Sequence, residues 1–249
     1  MMHVAKSFML ETVRNSGVFF GNLMPAFIFI LCSWGTSLAI KDSPETLYFM
    51  IKGQFFPISI MLLLFAFAFS SVTVYLAELR ANDTLRWLQR TNIEPATYFI
   101  GVGFGIFLLM NGALIVLLLS YALLIPISLQ AFVIIIGICN FVLLAMYPLC
   151  FIIAGIVKNG KTAQSMLTPV MILLMFSITM PSLFITLNDQ QPQDYYAFLA
   201  WNPMLYLTDT LQVQLELHTQ TWLPMYQYFI ILSIVCAGLT VIAKKIYMR

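Results

Sequence analysis

Residues 155–162 match the spacing of a phosphate-binding loop, Gly-x4-Gly-Lys-Thr, letter for letter. In nucleotide hydrolases this loop follows a strand, opens a helix and works beside an acidic residue that holds Mg²⁺. Here long apolar segments flank the stretch, and only residues 163–249 follow it. We therefore interpret the match as a coincidence and expect no ATP hydrolysis by this chain. Any ATP-driven activity would then need a partner subunit.

The four cysteines do not indicate a metal site or a disulfide framework. They lie inside apolar runs, with no Cys-x-x-Cys spacing and no neighbouring histidine. The apolar segments also contain no pair of acid, base or nucleophile for catalysis. We expect the chain not to be an enzyme and the cysteines to be packing residues. They are Cys32, Cys139, Cys150 and Cys236.

The composition is that of an integral membrane protein. Of the 249 residues, 61% are hydrophobic and only 9% are charged, and the mean hydropathy is +0.93. Soluble domains carry about a quarter charged residues. The net charge of +2 gives no indication of nucleic-acid binding, because the positions of the charges matter more than their sum.

Six apolar runs are long enough to cross a bilayer as helices. A helix of 23 residues spans about 34 Å, against a hydrocarbon core of about 30 Å. The uncharged run after Pro95 is too long for one crossing, and Pro126 and Ser128 divide it in two. We predict an all-α protein whose six spans are about 18–40, 55–77, 97–125, 131–157, 163–187 and 222–243.

Residues 1–15 predict an amphipathic helix that lies in the membrane interface. Met2, Ala5 and Phe8 fall on an apolar stripe, and Glu11 and Arg14 fall on the opposite side. A signal peptide is the alternative. The apolar run that follows is too long for one, and no small-residue cleavage site ends it, so we expect the helix to remain in the mature protein.

The six predicted spans contain no Asp, Glu, Lys, Arg or His. Ion-coupled carriers usually keep such residues at mid-membrane, because these groups carry the ion or proton. Asn22, Asn111 and Asn140 are the polar residues that remain at depth. We interpret them as partners in hydrogen bonds between helices rather than as substrate contacts.

The run from Glu78 to Pro95 is the one strongly charged segment between two spans. Asn82 can cap a helix start, and Pro95 closes the segment. Apolar and basic side chains between them fall on different faces, so we predict a helix of about two turns, at about 82–91, parallel to the membrane. The residues of this helix that are candidates for contact with a partner protein are Asp83, Thr84, Leu85, Arg86, Trp87, Leu88, Arg90 and Thr91.

The segment at about 195–217 is not a further span, because its apolar part, Tyr195 to Thr208, is too short to cross the membrane. Its aromatic residues and proline suit the interface or a re-entrant pair of half-helices. We take Trp201, Pro203 and Tyr206 as candidates for an extracellular gate.

The basic residues predict the orientation. With both termini in the cytoplasm, ten of the twelve Lys and Arg residues lie inside, and only Lys41 and Lys52 lie outside. We therefore expect a multi-pass protein of the cell membrane with cytoplasmic termini.

The run at 78–98 resembles the first cytoplasmic loop of ABC-2 type ABC transporter permease subunits. That loop reads Glu, a few residues, then Gly-Thr-Leu-x-x-Leu-x-x-Thr-Pro-Ile/Val and a later Tyr or Phe. Asp83 stands where the family has Gly, and Asn92 where it has Pro. Residues that fall on the pattern are Glu78, Thr84, Leu85, Leu88, Thr91, Ile93 and Tyr98.

Two further segments bear on the resemblance. Residues 202–211, Asn-Pro-Met-Leu-Tyr-Leu-Thr-Asp-Thr-Leu, resemble the family's segment before the last span, where two short helices dip into the outer leaflet. The family's Ser-Gly-x-x-x-Pro at the end of span five is only approximated, by Ser177 to Pro181.

The resemblance implies a single ABC-2 type transmembrane domain over residues 1–249. The loop would be the coupling helix that docks on a separate ATPase, which binds ATP and Mg²⁺. Two permease copies, identical or homologous, would sit on two ATPase copies and export a hydrophobic or amphipathic drug, peptide or lipid-like molecule. The alternatives are an ion-coupled secondary transporter and a non-transporting membrane scaffold.

Overall fold

The computed structural model describes residues 2–40, 44–82, 95–188 and 192–247, and all regular structure within these ranges is helical. α1 is Met2–Arg14 and α2 is Ser16–Ala39. α3 is a continuous helix made of Pro44–Tyr48, Phe49–Phe55, Phe56–Leu62, Leu63–Phe69 and Ser70–Ala81. Further helices are α4 (Pro95–Ala122), α5 (Leu129–Ile156), α6 (Gly160–Leu187), α7 (Tyr196–Leu199), α8 (Pro203–Gln214) and α9 (Met225–Tyr247), with a 3₁₀ turn at Pro192–Tyr195 before α7.

Six of these helices, α2, α3, α4, α5, α6 and α9, are long and apolar enough to cross a membrane. The predicted all-α, six-span architecture is thus confirmed in length and composition, and the chain is a multi-pass membrane protein. The largest difference from the predicted bounds is at α3, which is helical from Pro44 rather than from about 55. Lys52 therefore lies inside the helix, where its Nζ donates a hydrogen bond to the Leu215 carbonyl at 3.3 Å.

α3 is the central helix of the bundle. In its most apolar 18-residue window 78% of the residues are buried, against 11% in α2 and in α9. Two stretches of α3, Phe49–Phe55 and Leu63–Phe69, are π-helical. The first precedes Pro57, which lacks an N–H and would clash with the carbonyl four residues earlier in a regular α-helix. The wider turn, in which the Phe56 N–H bonds to the Ile51 carbonyl, accommodates this proline.

α1 packs across α4 and α3 through one aromatic side chain. Phe8 is fully buried, and its ring meets the Tyr75 ring of α3 edge to face at 4.9 Å between centroids. On α4 the contact point is Gly105, where an added Cβ would lie 2.7 Å from Phe8 Cδ1 and 3.1 Å from the Ala5 carbonyl oxygen. The missing side chain of Gly105 therefore lets the two helices touch.

α9 runs along α5 over most of its length. Near one end of this pair Phe141 packs on Phe229, with 4.4 Å between ring centroids. Near the other end Gly155 faces Ile246, whose Cγ2 would lie 2.7 Å from an added Cβ. A bulkier residue at Gly155 would push the last turn of α9 away from α5.

A reciprocal amide pair joins α4 to α5. Asn111 Nδ2 donates to Asn140 Oδ1 at 2.8 Å, and Asn140 Nδ2 donates to Asn111 Oδ1 at 2.9 Å. This geometry confirms the interpretation of these two residues as partners in a hydrogen bond between helices. Such a pair avoids the cost of leaving an amide unbonded in hydrocarbon.

The α1 contact predicts a difference between two glycines of the same helix. Gly105→Ala should destabilise the protein, because overpacking typically costs about 1–3 kcal/mol and the Ala5 backbone cannot move away easily. Gly112→Ala should be neutral or slightly stabilising, since no atom lies within 4 Å of its added Cβ and Ala favours the helix. Thermal unfolding of both variants in the same detergent measures the difference, and equal melting temperatures would contradict this docking of α1.

Candidate functional site

One end of the bundle, here called the basic end, carries Arg80, Lys158, Lys161, Lys244 and Lys245. α3, α5 and α9 finish there, and α4 and α6 begin there. Side chains tie these helix ends together through backbone carbonyls. Arg80 Nη1 donates to the Ala154 carbonyl at 3.4 Å, and the Tyr247 hydroxyl donates to the Leu76 carbonyl at 3.3 Å.

The stretch that matches a phosphate-binding loop lies at the basic end and caps a helix. Asn159 Oδ1 accepts hydrogen bonds from both the N–H and the hydroxyl of Thr162 at 2.9 Å, which closes the first turn of α6. The residues before the stretch form helix α5, not the strand that a phosphate-binding loop follows.

Gly160, within this stretch, is the place where α3 touches α6. An added Cβ would lie 2.7 Å from Glu78 Cγ and 2.8 Å from Glu78 Oε1. The Glu78 carboxylate thus sits at the first residue of α6, where the helix dipole favours a negative charge. Glu78 is also the residue with which the charged run of the sequence begins.

The predicted contact residues of that run, Asp83 through Thr91, lie outside the described residues, so their role stays a prediction. Asn82 is the residue after α3, and its N–H bonds back to the Glu78 carbonyl at 3.0 Å. Whether it also caps the start of the predicted helix depends on residues outside the described ranges.

At the opposite end of the bundle, residues 192–214 fold back between the long helices. Asn202 is fully buried and caps α8, since its Oδ1 accepts from the Met204 N–H at 3.0 Å. Its Nδ2 donates to the Leu174 carbonyl at 2.7 Å and lies 3.0 Å from the Ser177 hydroxyl oxygen. Leu174 is midway along α6, so the segment reaches the middle of that helix before α8 returns.

Asp209 on α8 is the centre of this end, and its carboxylate is fully buried. Its Oδ2 accepts from the Tyr228 hydroxyl at 2.5 Å and from the Trp222 N–H at 3.0 Å, while its Oδ1 accepts from Gln193 Nε2 at 3.2 Å. One carboxylate thereby joins the 3₁₀ turn, α8, the connection to α9 and the first turn of α9. Hydrogen bonds to charged groups contribute about 1.5–3 kcal/mol each.

Asp209 was not among the site residues predicted from the sequence. It appears there only as one residue of the 202–211 segment. The only local indication that Asp209 is buried is its spacing of three residues from Tyr206, which puts both side chains on a similar side of one helix. The partners that bury it come from residues 193, 222 and 228, and no local pattern predicts that they meet.

The three candidate gate residues occupy different environments. Trp201 is 56% exposed, whereas Pro203 is buried as the first residue of α8. Tyr206 is 1% exposed, donates its hydroxyl to the Ala200 carbonyl at 2.7 Å, and packs on the Tyr228 ring at 4.8 Å. Burial raises the pKa of Tyr206. A gating role for these residues stays a prediction, and Trp201 has the accessible side chain of the three.

A small cavity of about 130 Å³ lies between α2, α3 and α6, and polar side chains face it. Asn22 lines this cavity, whereas Asn111 and Asn140 pair across two helices. Apolar residues such as Phe65 and Met171 complete the wall. The polar side chains in the lining are Asn22, Ser70, Gln164 and Thr168.

The cysteines are all free thiols. Cys139 and Cys150 are buried, and Cys236 Sγ donates to the Leu144 carbonyl at 3.3 Å. Across the described ranges, no group of three or more His, Cys, Asp or Glu side chains is placed to hold a metal ion.

Comparison with known proteins gives no match, either to a protein-family model or to a curated protein. Sequence pattern and geometry therefore carry the functional assignment.

The Asp209 centre predicts that one buried carboxylate stabilises this end of the bundle. Asp209→Ala leaves the Trp222 N–H and the Tyr228 hydroxyl without their acceptor, which should cost roughly 1–3 kcal/mol. Asp194→Ala is the matched control, because it removes the same charge from an exposed side chain of the 3₁₀ turn. Thermal unfolding in detergent and limited proteolysis between residues 192 and 224 measure the effect. Equal stability and equal cleavage of the two variants would contradict the assignment.

Proposed function

We propose that the chain is the permease subunit of an ABC-2 type exporter, which forms a transport pathway and couples to a separate ATPase subunit. The observation that carries the proposal is the Glu78-to-Tyr98 run, which resembles the ABC-2 coupling loop and connects α3 to α4 at the basic end. ATP and Mg²⁺ belong to the partner in this proposal. The permease itself does no catalysis.

The architecture supports the proposal at both ends of the bundle. An amphipathic helix, α1, precedes the first long helix and packs on α3 and α4. At the far end the chain folds back to the middle of α6 before the last long helix begins. Both features agree with what the resemblance implies.

The charge distribution supports an orientation with the basic end in the cytoplasm. Seven of the eight described Lys and Arg residues lie at or near that end, including Lys6 and Arg14 on α1. Lys52 is the exception, at the opposite end. The positive-inside rule then puts both termini in the cytoplasm and the Asp209 centre toward the outside of the cell membrane.

The exposed faces of α2 and α6 support a pathway shared with a second permease copy. Only 11% and 17% of their most apolar windows are buried in one chain. The polar cavity lies between these two helices and α3, with Asn22 and Gln164 among its walls. A second copy facing α2 and α6 would enclose this cavity. Its mixed polar and apolar walls suit an amphipathic drug, peptide or lipid-like substrate.

The contact between Glu78 and Gly160 connects the predicted coupling helix at about 82–91, here called the coupling segment, to the transport pathway, so that movement of one can reach the other. The coupling segment follows directly on the end of α3, and Glu78 touches the first residue of α6. A displacement of that end of α3 by an ATPase would therefore push on α6. Gln164 and Thr168, in the next turns of α6, line the polar cavity.

The buried Asp209 does not favour an ion-coupled carrier. An ion-coupling carboxylate must exchange its ligand during transport, usually at mid-membrane. Asp209 instead accepts three hydrogen bonds from neutral donors, and its partner Tyr228 lies in the first turn of α9. Its position and bonding are those of a structural anchor at the end of the bundle. A non-transporting scaffold would need neither a polar cavity nor a charged loop helix with an apolar face.

The coupling segment provides the direct test of the proposal. Leu88→Asp and Trp87→Ala should abolish retention of a co-expressed ATPase, because a buried apolar anchor commonly contributes about 2 kcal/mol, or roughly thirtyfold in affinity. Arg86→Glu should be milder, since a rim ion pair contributes little in salt. Co-purification of the ATPase and transport into inverted vesicles measure both effects.

Leu123→Asp is the control for this experiment. It makes the same change at a residue that is 88% exposed and lies beyond α4 at the opposite end. Retention and transport should be unaffected in this variant. Normal retention and transport in Leu88→Asp would show that the segment is a simple connector and would overturn the proposed function.

The orientation has its own test, by cysteine labelling in a background without the native cysteines. Cysteines at Thr84 and Asn159 should react only with reagents that reach the cytoplasm, whereas cysteines at Asp42 and Gln191 should react from outside intact cells. The bias of basic residues is the basis of this expectation. Labelling of Thr84→Cys from outside would reverse the topology.

A further inference from the structure

A groove between α4, α5 and α9 runs along the outside of the bundle toward the basic end. It consists of two adjoining cavities, of about 520 Å³ and about 280 Å³. The larger cavity extends to Phe107 and Asn140, and the smaller one extends to Ala243 and Lys244. Residues that line both are Phe99, Tyr147, Pro148 and Thr240.

A glycine and a proline shape the wall of this groove. Gly103 leaves room for the Tyr147 ring, whose Cζ would lie only 3.1 Å from an added Cβ. Pro148 has no N–H to donate to the carbonyl four residues earlier, which belongs to Leu144. Cys236 Sγ of α9 donates to that carbonyl at 3.3 Å instead. The Leu144 carbonyl, which has no N–H donor within α5, thus has a hydrogen-bond partner on α9.

The polar side chains of the groove body are bonded within the protein. The Tyr147 hydroxyl donates to the Phe99 carbonyl at 2.7 Å, and the Thr240 hydroxyl donates to the Cys236 carbonyl at 2.7 Å. Asn140 is engaged in the amide pair with Asn111. The body of the groove therefore suits a hydrocarbon chain rather than a polar ligand.

Among the described residues, Lys244 is the one cation that lines the groove, and it stands at the mouth. Lys244 lines the smaller cavity and is exposed, and the part of the chain that the structure describes offers it no carboxylate partner. Lys245 follows it on α9 but does not line either cavity. An apolar body with one lysine at its mouth is complementary to a molecule that has an acyl chain and an anionic head.

We propose that this groove binds one anionic membrane lipid, with its acyl chain along α5 and its phosphate at Lys244. From Asn140 to Phe151 the α5 wall is about 16 Å long, enough for most of an acyl chain. Lipid tails are as apolar as the groove, so the chain alone gives little preference for the site over the bilayer. The charge at the mouth selects the lipid, as basic pockets between helices do for acidic headgroups. The site is independent of any ATPase.

The test compares phosphatidylglycerol with phosphatidylcholine of the same acyl chains. The detergent-purified full chain is titrated with each lipid, and native mass spectrometry counts the lipid molecules retained. One phosphatidylglycerol should bind about fivefold more tightly than phosphatidylcholine, the preference expected from one lysine near a membrane surface. Lys244→Gln should remove this preference, whereas Lys245→Gln, the same change one residue later, should keep it.

A second pair of variants tests the groove body without changing charge. Thr240→Phe should fill the groove and displace the lipid, because Thr240 lines both cavities and is exposed. Val241→Phe adds a ring at the next position of α9, which is 59% exposed and outside the groove lining, and should leave binding unchanged.

Three results would overturn the proposal. The first is equal retention of the two lipids. The second is an equal loss in Lys244→Gln and Lys245→Gln, which would indicate a diffuse surface charge. The third is undiminished lipid binding by Thr240→Phe. If lipid binding were unchanged and the oligomeric state of that variant changed, the groove would be a contact with a second copy.

Discussion

In hydrocarbon, a polar group without a hydrogen-bond partner costs several kcal/mol, and this constraint shapes the helices that the structure describes. The long segments are helical because a helix satisfies its own backbone. The buried hydroxyl of Thr73 follows the same rule, since it donates to the Phe69 carbonyl at 2.7 Å. At one proline of α5, a distant group replaces the local bond that is lost. Pro148 leaves a carbonyl free on α5, and Cys236 of α9 donates to it.

The same constraint explains why the chain folds back at one end. Residues 192–214 bring a carboxylate and an amide into the bundle, and each is satisfied only by groups far along the sequence. Asn202 bonds to α6, and Asp209 bonds to the first turn of α9 and to the loop before it. These bonds hold the segment at a fixed depth. In the proposed exporter, this end would be the fixed outer structure against which the inner end moves.

At the basic end, small residues set the contacts between helices. Gly105 admits Phe8, Gly155 admits Ile246 and Gly160 admits the Glu78 side chain. Because close-packed contacts transmit displacement rather than absorb it, the Glu78 contact can relate the end of α3 to α6. In the proposed exporter, this contact links the ATPase-docking segment to the helix that lines the polar cavity.

The sequence by itself determined the class of the protein and the number of long helices. Hydropathy fixes these, since a span needs about 20 apolar residues and a charge marks its limit. That rule placed the start of the second span at about 55, after Lys52, whereas the helix that contains this span begins at Pro44, roughly three turns earlier. Lys52 is tolerated within α3 because its Nζ reaches the Leu215 carbonyl, 163 residues away. The sequence also predicted that deep asparagines bond between helices, though not which two form a pair.

Only the tertiary structure decided which polar and aromatic residues are buried. Trp201 and Tyr206 look alike in the sequence, yet the first is exposed and the second is packed against Tyr228. Asp209 is fully buried, although it is a carboxylate and was not among the predicted site residues. Composition and hydrophobic periodicity indicate contacts only between residues that lie within one or two helical turns of each other. Burial of a carboxylate depends on donors from separate segments, and their meeting is decided by the packing of the whole bundle.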